Sequence, residues 1–241
     1  MAHDDGTFLD RGLERINPFA EWSAGQAARV AGTAFMVSFV LIIIIGNFLL
    51  PNFVNPGDKE ELEADIKDNE QFFNIAVVMY LIVLLLDAIV AMGIVIVLNP
   101  VDRTLASVSG TLRLIYVVIM VIIVVTLAAH LIDVDSYGTF KLVGYLFFIG
   151  HILVTGYAVY ISGYIPRIFG VFYMLAFISY ILAFYVSSLV PEAILAIFMI
   201  FMIIAELSLS VWFVLKGTKL DGMIEERVGE PTSAGLHQGP A

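Results

Sequence analysis

Long apolar runs, separated by short polar or proline-bearing links, set the pattern of this chain. A helix needs about 20 mostly apolar residues to cross a bilayer. Six stretches meet that requirement: 28–50, 72–98, 104–132, 138–161, 168–188 and 192–215. No period-2 alternation of the kind a membrane β-barrel needs is present. The breaks between runs have a mechanism. Asn99-Pro100 closes the second run, because proline lacks an amide and restricts the residue before it. Gly163-Tyr164-Ile165-Pro166 separates the fourth from the fifth, and Pro191 suits the first turn of the sixth. Links this short make sequential helices antiparallel neighbours. The pattern predicts an all-α fold, a polytopic membrane protein built as a six-transmembrane-helix bundle with short loops.

Composition narrows the function classes. Of the 241 residues 60% are hydrophobic and 14% charged, against about 45–50% and 25% in an ordinary soluble domain. A soluble fold of this length could not hide so much apolar surface. A soluble enzyme and a disordered chain are thereby excluded, and a net charge of −10 argues against a nucleic-acid partner. The absence of cysteine removes disulfides, thiolate metal sites, iron–sulfur clusters and cysteine nucleophiles. No H-E-x-x-H, G-x-S-x-G or P-loop pattern occurs.

Three parts are expected. Residues 1–27 form an N-terminal segment whose Leu9, Leu13, Ile16, Phe19 and Trp22 read as an interfacial amphipathic helix. Residues 28–216 form the membrane domain, with an acidic external loop at 51–71, and 217–241 a polar, disordered tail. In the loop, Asp58, Glu60, Glu61, Glu63, Asp65, Asp68 and Glu70 outnumber two lysines, while Leu62, Ile66 and Phe73 fall at helical spacing. This reads as a solvated amphipathic helix; the central glycine of a calcium-binding loop is missing. Arg11, Arg15, Arg29, Arg103, Arg167, Lys216, Lys219 and Arg227 fall on one side of the bundle, and only Lys59, Lys67 and Lys141 on the other. The positive-inside rule then makes both termini cytoplasmic. The first run follows a long acidic segment and has no small-residue cleavage site, so it is expected to remain in the mature protein.

Charged residues inside membrane helices are costly and point to function by default. Counted from the cytoplasmic helix ends at about 1.5 Å per residue, Asp87 lies roughly 16 Å deep, Arg113 about 13 Å, His151 about 15 Å and Glu206 about 14 Å. Four ionisable groups from four helices thus share one layer, with Tyr180 and Ser38 at similar depth. Arg113 keeps its charge and needs a carboxylate, which Asp87 or Glu206 can supply. One guanidinium cannot neutralise two acids, so one acid is expected to hold or share a proton, with His151 as a candidate partner. That chemistry suits a proton relay or cation site, and equally a static polar clasp between helices. A b-type haem is disfavoured, because His130 and His151 differ in depth by about 15 Å. No other cofactor is expected, and a zinc site on His151, Asp87 and Glu206 has only weak support. Gly138, Gly144, Gly150 and Gly156 step around the fourth helix and predict close packing on more than one side.

Phe148-Ile149-Gly150-His151, then Gly156-Tyr157, then Ser162-Gly163-Tyr164-Ile165-Pro166-Arg167-Ile168-Phe169-Gly170 resembles the central signature of domain-of-unknown-function family 4386. Asp87, Pro100-Val101, Leu105-Ala106 and Arg113-Leu114 agree with the upstream pattern, and the likeness covers about residues 29–216. The resemblance implies a small six-helix protein of the prokaryotic cytoplasmic membrane, with Asp87, Arg113 and His151 as family positions. It supplies no reaction. Three functions remain open: a bundle that binds a small polar ligand or protons at the midplane layer, for transport or sensing; an accessory subunit that packs against a larger membrane complex or a second copy; and a membrane enzyme using His151 with a carboxylate.

Overall fold

The computed structural model describes residues 22–49, 53 and 59–229. Helix α1 (Ala24–Ile44) runs on into one π turn, Ile45–Leu49. After it come α2 (Lys59–Asp68), α3 (Glu70–Leu98), α4 (Arg103–Ala128), α5 (Val134–Ser162), α6 (Arg167–Phe184), a 3₁₀ turn at Ser187–Leu189 and α7 (Glu192–Gly229). All but α2 are long and apolar enough to cross a membrane, and no strand occurs among the described residues. The protein is an all-α, multi-pass membrane protein. Helices suit that setting because every backbone polar group is satisfied within its own segment.

The helix starts are written in short polar residues. Ser23 and Gln26 form a capping box at α1. The Asp102 carboxylate accepts from the Leu105 amide at 2.8 Å, and Asp133 from Ser136 at 2.7 Å, capping α4 and α5. Pro191 opens α7, its carbonyl accepting from Ile194 and Leu195. The α5–α6 link turns on Gly163, whose φ of +76° is a left-handed conformation that suits glycine. Tyr164 then tucks under the bundle and donates to the Val97 carbonyl at 2.6 Å.

The six long helices pack in chain order, and α7 closes on α1 to complete a ring. The face where α1 begins and α7 ends is called the near face below, and the opposite one the far face. Small residues draw the helices together. A Cβ built on Gly25 would lie 2.4 Å from the Gly217 carbonyl, and one on Gly32 2.6 Å from that of Ser210, so α1 and α7 touch backbone to backbone in the near half. On α5, Gly144 and Gly150 face α4, while Gly156 meets Gly170 and Tyr173 of α6. The predicted packing on two sides is what the helix does.

Several boundaries differ from the sequence reading. The third run stops at Ala128, short of residue 132, and the chain turns through His130 at φ +55° before the Asp133 cap. The fifth ends at Phe184, before the 3₁₀ turn. The polar tail expected from residue 217 is helical to Gly229, because tertiary contacts hold it. Leu220 is buried, Asp221 accepts from the Ser23 hydroxyl and the Gly25 amide, and Arg227 donates to the Ile161 carbonyl. Residues 230–241 and the expected interfacial helix before Trp22 lie outside the described residues. The acidic segment does form the short helix α2, with Leu62 buried and Phe73 of α3 beside the core.

Candidate functional site

Helical spacing prepares the site before packing assembles it. Ser109 and Arg113 are one turn apart on α4, as are His151 and Thr155 on α5, so each pair shares a face. Where these faces meet α3, Arg113 Nη2 forms an ion pair with Asp87 Oδ1. Arg113 Nη1 lies 3.1 Å from His151 Nε2. A guanidinium only donates, so Nε2 accepts and the imidazole is neutral with its proton on Nδ1. That proton goes to the Ser109 carbonyl at 2.9 Å. The Ser109 and Thr155 hydroxyls sit 3.0 and 3.3 Å from Nδ1 and 2.7 Å from each other. The Phe148 and Phe35 rings lie 5.2 and 5.9 Å from the guanidinium carbon, within cation–π range. The network ties α3, α4 and α5 together and is buried throughout, Arg113 being 1% exposed.

Glu206 of α7 stands apart from this network. Its carboxyl accepts from the Tyr180 hydroxyl of α6. Both groups nevertheless face one cavity of about 370 Å³ at the centre of the ring, to which all six long helices contribute. Asp87, Arg113, Glu206, Tyr180 and Ser38 line its polar end; Tyr80, Tyr116, Tyr145, Phe148 and a stripe along α1 and α7 make the rest. The Ser38 hydroxyl and Arg113 Nε are buried and have no hydrogen-bond partner among the described residues.

Five of the six residues singled out in the sequence therefore converge on the cavity. His151 does not line it: it sits behind Arg113, and both ring nitrogens are engaged with Arg113, Ser109 and Thr155. The expectation that it shares a proton with a carboxyl is corrected on that ground. No three His, Asp or Glu side chains among the described residues group in a way that could hold a metal. Ser109 and Thr155 were missed, although each lies four residues from a flagged position and could have been found by that spacing. Lys141, counted with the charges of the far side, is buried in α5 with Nζ 3.0 Å from the Phe53 carbonyl. Its burial is not legible in the sequence, because position within an apolar run does not say which face a side chain takes.

Comparison with known proteins adds a family and no activity. The family described as a domain of unknown function (DUF4386) matches residues 30–137 and 128–217. An uncharacterized protein of Archaeoglobus fulgidus is 27% identical over 145 residues, covering 59% of this chain and 84% of that protein. No solved structure matches.

Proposed function

The chain belongs to that family of unknown function, and on this premise we propose, from its own geometry, that it is a binding bundle which takes a small ligand or protons at a midplane polar site. The observation that carries the reading is the central cavity, whose polar end joins Asp87, Arg113 and Glu206 to an unpartnered Ser38 hydroxyl. A static clasp would fill such a space, since a buried polar atom without a partner costs about 1–3 kcal/mol. The volume lies in the range of small-molecule sites, about 300–1,000 Å³. The two roles weighed for the charged layer divide between its parts in this reading. His151, Ser109 and Thr155 hold Arg113 in place, and Asp87, Arg113 and Glu206 face the ligand. Large exposed apolar side chains occur on all six long helices, which suits lipid on every side and singles out no face for an accessory partner.

The chain has no cysteine, so Ser38→Cys introduces a single thiol at the polar end of the cavity. A small cationic methanethiosulfonate should modify it in the folded protein, about tenfold faster than an anionic reagent of equal size, a preference of about 1.4 kcal/mol. Glu206→Gln should remove most of that preference. A thiol inert to both reagents until the protein is unfolded would refute the reading and leave a dry clasp.

A further inference from the structure

The cavity has a direction. In the near half α1 and α7 are in backbone contact at Gly25, Gly32, Ser210 and Gly217, which shuts the ring there. The cavity lies along their far halves. Of all its lining residues only four are exposed: Ile43 and Asn47 of α1, Met199 and Ile203 of α7. Lining residues of α3, α4 and α5 are buried. The mouth is thus a gap between the first and last helices, at the level of their apolar runs. At the end of α1 the chain passes into the π turn that holds Gly46 and Asn47, a local irregularity of a kind often found at functional sites. The buried end carries two carboxyls and one guanidinium, and that guanidinium is already paired with Asp87. Glu206 has no ion pair of its own among the described residues and accepts from the Tyr180 hydroxyl, and the Ser38 hydroxyl, without a hydrogen-bond partner among those residues, stands in the same lining.

We propose that the cavity admits from the bilayer, through the gap between α1 and α7, a single-chain amphiphile with a cationic amine head, which lies against Glu206 while the chain runs out past Ile43, Met199 and Ile203. Charge complementarity selects the head: an anionic head would meet an excess of carboxyl. The apolar walls and the lateral mouth select the tail. This rests on the proposed binding site and specifies its ligand class and its route.

The test uses the full chain in lipid nanodiscs, with Ser38→Cys as reporter and n-decylamine, decanol and decanoate as probes. Decylamine should slow modification of the thiol by the small cationic thiosulfonate about tenfold, a difference of about 1.4 kcal/mol, and decanoate should not. Glu206→Gln should abolish the protection. Ile43→Trp with Ile203→Trp, both exposed at the mouth, should slow the onset of protection by decylamine more than they slow the thiol's own reaction with the small reagent. Asn47→Cys gives a second reporter at the mouth should the deep thiol disturb the fold, and decylamine should shield it too. A reactive thiol that decylamine leaves unprotected, or that decanoate or decanol protects equally, overturns this proposal while the binding site stands. Protection that sets in equally fast with both tryptophans present overturns the lateral route. A thiol inert to all reagents overturns the binding site itself.

Discussion

Asp87→Asn isolates the energetics of the charged layer. The substitution keeps volume and removes one charge, leaving the Arg113 guanidinium, 1% exposed, without its counter-ion. Two opposite charges about 4 Å apart interact by about 4 kcal/mol at an effective dielectric constant near 20. Breaking one partner of a buried pair costs about 3–5 kcal/mol by a separate route, because the other charge stays desolvated. The two figures agree, so a loss of about 3–4 kcal/mol is expected, between two and three decades in the folded-to-unfolded ratio. Glu206 shares the cavity with Arg113 and can replace part of the lost interaction. The same substitution in a Glu206→Gln background should therefore cost more, by about 1–2 kcal/mol of coupling. Reversible unfolding in mixed micelles, followed by fluorescence of Trp212 between Phe169 and Phe213, measures both values. A loss below about 1 kcal/mol in both backgrounds would refute the premise that the pair is desolvated.

Three further outcomes follow from the packing. Gly163→Ala should cost about 1–2 kcal/mol in the same titration, because the left-handed backbone penalises a Cβ and that Cβ would lie 2.3 Å from Arg227 Nη1. Gly32→Val should loosen the α1–α7 seam at a cost of about 1–3 kcal/mol, whereas Gly150→Ala, whose Cβ would meet Leu112 at 3.4 Å, should be nearly neutral; equal effects would show that the seam is not tight. Nitrogen NMR of labelled histidine should find Nε2 of His151 unprotonated and Nδ1 protonated, and an imidazolium signal at neutral pH would overturn the direction given to the Arg113 hydrogen bond.

The limits of sequence reading show at particular residues. Six spans, their proline and glycine breaks and the caps at Asp102 and Asp133 all follow from local rules, because a helix in lipid satisfies its own backbone and its ends answer to nearby side chains. That Asp87, Arg113 and Glu206 could meet was also legible, since a rise of about 1.5 Å per residue converts position along each helix into height, and all three line one cavity. Rotation was not. An almost uniformly apolar helix carries little amphipathic signal, so nothing in the sequence said which of Asp87 and Glu206 Arg113 would turn toward, or that Lys141 would turn inward. Likewise, Asp221 and Arg227 look like tail until α1 and α5 are beside them.

The chain by itself determined that it is a membrane bundle and where along its helices the charged residues fall, because both depend on hydrophobicity and length alone. Only the tertiary structure decided that His151 stands behind Arg113 while Asp87, Arg113 and Glu206 share one cavity. It also decided that this cavity opens between the first and last helices. Those choices depend on how six apolar cylinders rotate and close against one another, and that is settled by glycine contacts between residues as distant in sequence as Gly25 and Gly217.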